Sequence, residues 1–355
     1  MANLYVTSGE TFSGKSAICI SLGLHFRRDG LSVGYMKPVN INCPLCDGQA
    51  FDEDVNFARQ VLEMPEPAAW LNPVALTPAK MEQQLRGPEI DYEPRLLEAF
   101  AKVSAGRDMM VLEGGRSLRE GYIAGLPPKK VVDLLDAKVL LVLKYDPTLM
   151  VDRARTALNY FGDSLIGVVL NVVPRPQVEW MQTTVVPYLK RYGLPVLGLL
   201  PMDQLLSAPS VSELADGLHA EILVGIENSE QLVEHMLVGA MSAESALTHF
   251  RRKPNKAVIT GGDRADIQMA ALNTSTRCLI LTGNLYPNPQ VLNRAEELSV
   301  PVLLTNLDTL NTVEIVEGYF ARSRFQQPKK IERFATLLEE HFDFTELYAA
   351  LGIKK

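Results

Sequence analysis

An α/β architecture in two domains, the first a doubly wound parallel sheet and the second smaller, is what this sequence predicts, and three observations predict it. Buried apolar runs of strand length alternate with helical stretches along most of the chain. The first such run, Leu4 to Thr7, passes straight into Gly9-x-x-x-x-Gly14-Lys15-Ser16 and then into a helical stretch beginning AICISLGLHF. Finally, 355 residues exceed the usual size of one hydrophobic core, and the composition changes near Leu206. The expected divisions are 1–209, 210–325 and a C-terminal helical segment, 326–355.

The strand, glycine loop and helix at the N-terminus are the order that a phosphate-binding loop requires. Gly9 and Gly14 permit backbone angles that a Cβ would make costly, so the N–H groups of Gly9, Glu10, Thr11, Phe12, Ser13 and Gly14 can curl round a phosphate at the positive end of the following helix. Lys15 then reaches the outer phosphates and the Ser16 hydroxyl takes a place on Mg²⁺. ATP and Mg²⁺ are the expected cofactors.

LSVGYMKPV reads as the second strand and delivers Lys37 to the same sheet edge as the loop. That lysine either contacts phosphate or substrate, or merely snorkels from a strand end. Asp52, Glu53 and Asp54 precede a helix near Val55; they either cap it or, through Asp54, offer a carboxylate to Mg²⁺. Cys43 and Cys46 have the spacing of half a zinc site without a second half. Residues 65–88 are proline-rich and read as loops round short helical turns. Tyr92 to Ser104 reads as a helix, and Asp108 to Glu113 as a strand with Gly114-Gly115 after it. Glu113 is expected to serve Mg²⁺, because a buried acid needs a cation or a hydrogen-bond network. Arg116 and Ser117 either line the mouth of the site or sit on the surface. Two more strands follow, and SLIGVVLNVVP ends on Asn171, whose amide suits a base edge such as adenine or simply closes a turn.

Beyond Leu206 a helix is expected from Leu232 to Ser245. Its small residues, Gly239 to Ser242, permit close helix approach, either between subunits or within one; a homo-oligomer is expected. Lys256-AVIT then runs into Gly261-Gly262-Asp263-Arg264, a strand-to-helix turn without a Walker lysine. This turn either binds a small anion or is fixed by Asp263 capping and pairing. Asp308 after VPVLLTNL has the same two readings.

Composition narrows the partners. The formal charge of -7 gives no electrostatic reason to expect nucleic acid. The apolar runs fall short of a membrane span, four cysteines make no disulfide scaffold, and no signal precedes the first strand. A cytoplasmic location with no membrane partner is expected.

The series Gly9-Glu-Thr11-x-x-Gly14-Lys15-Ser16, Tyr35-Met-Lys37-Pro38, Asp54, Glu113-Gly114-Gly115 and Gly167-Val-Val-Leu-Asn171 resembles that of dethiobiotin synthetase and related amidotransferase-like ATPases. The resemblance implies that the loop binds ATP, that Lys37 contacts phosphate and the substrate region, that Asp54 and Glu113 serve Mg²⁺, and that Asn171 serves adenine. Catalytic roles then fall to Lys15, Lys37 and Glu113. The second domain is similar to the DRTGG domain, although here the order is Thr-Gly-Gly-Asp-Arg. Its ligand residues would be Gly261, Gly262, Asp263, Arg264 and Asp308. The pair looks like the N-terminal portion of long bacterial phosphate acetyltransferases without their acetyltransferase domain. The expectation is an ATP- and Mg²⁺-binding regulatory or metabolic protein with a ligand-sensing second domain. The alternatives are an ATP-dependent ligase or carboxylase, or an accessory subunit in acetyl phosphate metabolism.

Overall fold

The computed structural model describes residues 1–41, 43–46, 49–320 and 325–353. The chain forms two compact units, Met1–Met202 with Phe325–Lys355, and Asp203–Arg324.

Six parallel strands make the sheet of the first unit: β1 (Ala2–Ser8), β2 (Val33–Met36), β3 (Met109–Glu113), β4 (Lys138–Lys144), β5 (Leu165–Val173) and β6 (Val196–Pro201). Their spatial order is β6-β5-β4-β1-β3-β2. The central strands are continuous apolar runs because they are buried on both faces. β1 lies between β3 and β4 in parallel register. The chain therefore leaves β1 at the point where strand order reverses, and the carboxyl ends of β1, β2 and β3 open onto one edge. Helix α1 (Lys15–Arg28) starts there, with Gly14 at φ 91° before it. Helix α2 (Glu53–Val61) follows β2 and is capped by Asp52, whose Oδ1 accepts from the Val55 N–H at 3.0 Å.

The segment after the second unit returns to the first. Helices Pro328–His341 and Phe344–Leu351 begin with a proline in the first turn and an Asp343 cap, respectively. They pack against α1: the His25 ring stacks on Phe344 at 3.6 Å, its Nδ1 lies 2.8 Å from Glu339, and the Tyr348 hydroxyl donates to Asp29 at 2.7 Å.

The second unit is a five-stranded sheet: β7 (Glu221–Val224), β8 (His235–Val238), β9 (Lys256–Gly261), β10 (Thr276–Thr282) and β11 (Val302–Leu304), in the order β7-β11-β10-β9-β8. Only β7 runs antiparallel to its neighbour. The helix expected over Leu232 to Ser245 is corrected here: His235–Val238 is a strand paired with β9, and a helix begins only at Ala243. Gly239 is small because a Cβ would meet Ile267 Cγ2 at 2.4 Å. Its size serves packing within the unit, and no helix presents Gly239 to Ser242 to a second copy.

Candidate nucleotide site

The loop after β1 holds its shape through two left-handed residues, Phe12 (φ 54°) and Gly14 (φ 91°). The two responses to that geometry differ. Gly14 adopts it freely, whereas Phe12 pays a conformational penalty. Lys15, half-buried at the start of α1, donates to Ser8 Oγ at 2.9 Å, and no carboxylate stands within ion-pair distance of it among the described residues. Burial lowers its pKa, with Glu113 opposing. An ammonium hydrogen-bonded to a hydroxyl and in no ion pair among the described residues is a ready anion partner.

Glu113 ends β3 and is 2% exposed. Its Oε1 accepts from the Ser16 hydroxyl at 2.8 Å and its Oε2 from the Tyr35 hydroxyl at 2.8 Å. Burial is the largest influence on its pKa and pushes it up, while Lys37 pulls the other way. Lys37 pairs with Asp52 at 2.7 Å and stands 4.0 Å from Glu113. Burial opposes its charge, but Glu113 and Asp52 outweigh that and hold the ammonium protonated. Asn40 also donates to Asp52. The structure thus brings Lys15, Ser16, Lys37 and Glu113 to one sheet edge, together with Tyr35, Asn40, Ser8 and Asp52. Asp54 is adjacent in charge to Lys37 and Glu113, but the direct partner of Lys37 is Asp52; Asp54 accepts from Gln326 at 3.4 Å.

The remaining loop residues divide. Glu10, expected to bind cofactor, has its carboxylate engaged by Arg153 at 2.7 Å and by the Lys144 N–H at 3.2 Å. Arg153 also lies against Gly9, where a Cβ would touch its side chain at 3.5 Å. Thr11 and Phe12 are exposed, and Ser13 is buried with its hydroxyl unpartnered among the described residues. Asn171 faces the loop itself: its Nδ2 donates to the Ser13 carbonyl at 2.8 Å and its Oδ1 accepts from the Val172 N–H at 2.9 Å. The amide expected to meet adenine is thus held by one bond at each end, with a second N–H and a second lone pair remaining. Arg116 is exposed, and its N–H donates to Glu120. Cys43 is buried and donates to the Phe51 carbonyl; the side chain of Cys46 lies outside the described residues.

The donor set fits Mg²⁺. No group of three or more His, Cys, Asp or Glu side chains is arranged to hold a metal among the described residues. The Ser16 hydroxyl and Glu113 carboxylate are hard oxygen donors of the kind that suits an ion taking its other ligands from phosphate and water.

In the second unit, the turn after β9 is closely packed. A Cβ on Gly262 would fall 1.6 Å from the Leu285 carbonyl oxygen. Arg264 donates to both oxygens of Asp266 at 3.0 Å and to the Met241 carbonyl at 3.0 Å. Its partner is thus Asp266, and the exposed Asp263 does not cap the helix. Asp308 accepts from the backbone and side chain of Asn311, both at 2.8 Å. No helix is long and apolar enough to cross a membrane among the described residues.

A parallel sheet with a glycine loop, lysine and serine at the carboxyl edge of its first strand defines a P-loop nucleotide-binding protein of α/β class. The chain belongs to the AAA domain family, whose model matches residues 2–210, and it carries a DRTGG domain over residues 213–319. The first unit is an ATP-binding P-loop domain. The pair matches the N-terminal region of bacterial phosphate acetyltransferases. Phosphate acetyltransferase of Synechocystis sp. is 29% identical over 362 residues, covering 98% of this chain and 51% of that protein. Phosphate acetyltransferase of Nitrosomonas europaea is 24% identical over 360 residues, covering 96% and 50%. The chain thus spans about half the length of the curated relatives it matches. Among solved structures, cobyrinic acid a,c-diamide synthase from Mycobacterium smegmatis with bound ATP analog and magnesium is 18% identical, with a TM-score of 0.39, over 57% of this chain and 88% of that one.

Proposed function

We propose that this protein binds ATP with Mg²⁺ in its first unit as a regulatory or metabolic module, and that its DRTGG domain senses a small anionic ligand through Gly261, Gly262, Asp263, Arg264 and Asp308. The observation that carries the ATP reading is the half-buried Lys15 ammonium beside a glycine loop, with Ser8 Oγ as its one hydrogen-bond partner among the described residues. Lys15 binds the outer phosphates, and Ser16 and Glu113 hold the hydrated ion. Mg²⁺, when bound, neutralises charge on the phosphates. Lys37 stands beside these groups as a second cation. Isothermal titration tests this reading. Wild-type protein, freed of nucleotide, binds ATP in the presence of Mg²⁺. Lys15→Ala weakens binding about 30-fold or more, since a hydrogen bond to a charged group contributes about 2 kcal/mol or more. Identical titrations for the two proteins would sink the proposal.

The Lys37, Asp52 and Asn40 cluster beside Glu113 favours a second reading, an ATP-dependent ligase or carboxylase working by phosphoryl transfer. Such catalysis is positioning plus charge stabilisation, which two lysines and a metal-binding carboxylate supply. It requires substrate-dependent ADP release that disappears in Lys37→Ala and Glu113→Ala. A basal rate indifferent to every diamine and carboxylate offered would exclude it.

A further inference from the structure

We propose that Tyr35 is a positioning residue for the nucleotide site: its hydroxyl fixes the direction in which the Glu113 carboxylate is presented to a metal–nucleotide complex. The inference rests on the nucleotide-site reading above and adds to it a residue that no phosphate-loop pattern marks. Strand register brings the two side chains together. On β2, Tyr35 stands opposite Val111 of β3, two residues before Glu113, so Tyr35 and Glu113 share one face of the sheet. The ring reaches along that face, and its hydroxyl donates to Glu113 Oε2 at 2.8 Å.

Three observations separate this bond from ordinary burial. Tyr35 is wholly buried in a strand whose other residues are a valine, a glycine and a methionine; phenylalanine would fill the same space, and a buried hydroxyl is costly without a partner. Among the described residues that partner is Glu113. The two donors to Glu113 also come from different parts of the site. Ser16, which donates to Oε1 at 2.8 Å, belongs to the phosphate-loop motif and is itself one of the groups offered to the ion, whereas Tyr35 belongs to the sheet. Lastly, Oε1 is the oxygen on the Lys37 side, with Lys37 Nζ 4.0 Å from it. Each carboxylate oxygen keeps a second lone pair, so the Tyr35 bond limits the rotation of the group and not its capacity to accept. Held on one side by a rigid ring, the carboxylate turns its other oxygen to Ser16 and Lys37. Without the hydroxyl it is free to swing toward Lys37, which is already paired with Asp52 at 2.7 Å.

Isothermal titration of ATP, in MgCl₂ and in EDTA, compares wild type, Tyr35→Phe, Glu113→Gln and the double variant. In Tyr35→Phe the ratio of the affinity in MgCl₂ to that in EDTA should fall about 10-fold, the effect of removing a hydrogen-bond partner from a metal-binding carboxylate. On the Glu113→Gln background, where no charged carboxylate is left to position, adding Tyr35→Phe should change the ratio by less than about two-fold. Equal losses in MgCl₂ and in EDTA would mark a packing role and overturn the inference, as would an unchanged Tyr35→Phe or a full second loss in the double variant. The comparison of Glu113→Gln with the double variant stands by itself should Tyr35→Phe alone not fold. Wild-type protein that binds ATP equally with and without Mg²⁺ would overturn the inference and leave ATP binding in place. Wild-type protein that binds no ATP would remove the nucleotide reading as well.

Discussion

At the scale of the residue, the chemistry turns on which charges are paired. Glu113 is buried and holds two hydroxyl donors, so Glu113→Gln keeps the shape and removes the charge. ATP titrated with Mg²⁺ should weaken about 10-fold or more in this variant, while ATP titrated in EDTA should be little changed; equal losses in both would contradict a metal-binding role. Lys256 illustrates the opposite situation. It is fully buried with only Thr274 Oγ1 and the Ser275 carbonyl to accept from it, and burial lowers its pKa to about 8. Its folded pKa lies below the unfolded value near 10.5, so between about pH 8 and 10.5 the unfolded chain holds more protons. Stability of the second unit should therefore rise with pH across that window. Lys256→Met should flatten the rise and stabilise the unit near pH 7 by roughly 1 kcal/mol. Denaturant melts at pH 7, 8, 9 and 10 would show both effects.

Individual elements explain how much of this could be read in advance. The phosphate loop is legible because its spacing is local, and Lys37 and Glu113 because parallel strands bring their carboxyl ends to one edge. Tyr35 was hidden by the run to which it belongs: in VGYM every side chain is buried, so nothing in the pattern marks one hydroxyl as a partner of Glu113. Arg153 and Asn40 meet Glu10 and Asp52 only through tertiary packing, which spacing along the chain does not encode. The strand His235–Val238 has four residues, too few for periodicity to separate strand from helix. At this scale the turn after β9 makes a sharp prediction. Gly262→Ala brings a Cβ against the backbone oxygen of Leu285, which has no rotamer to escape into. The second unit should lose about 3 kcal/mol in a calorimetric melt, with the transition of the first unit unmoved. A mutant melting like wild type would mean that the two loops separate freely.

For the whole molecule, the chain order of the two units matters. The first unit is completed by residues that follow the second, with His25 of α1 stacked on Phe344 and facing Glu339. Deleting residues 325–355 strips that flank of α1, the helix that begins at Lys15. The melting temperature of the first unit should fall by several degrees, and ATP binding should weaken with it. A truncated protein that melts and titrates like the full chain would show that the flank contributes little.

The same arrangement governs the order in which the protein matures. A polypeptide emerging from the ribosome presents its phosphate loop well before the partner surface for His25, with about three hundred residues between them. During that interval the apolar side of α1 has no C-terminal helices to cover it, while the intervening unit is free to fold alone. The phosphate loop is thus made well before the residues that cover the flank of its helix.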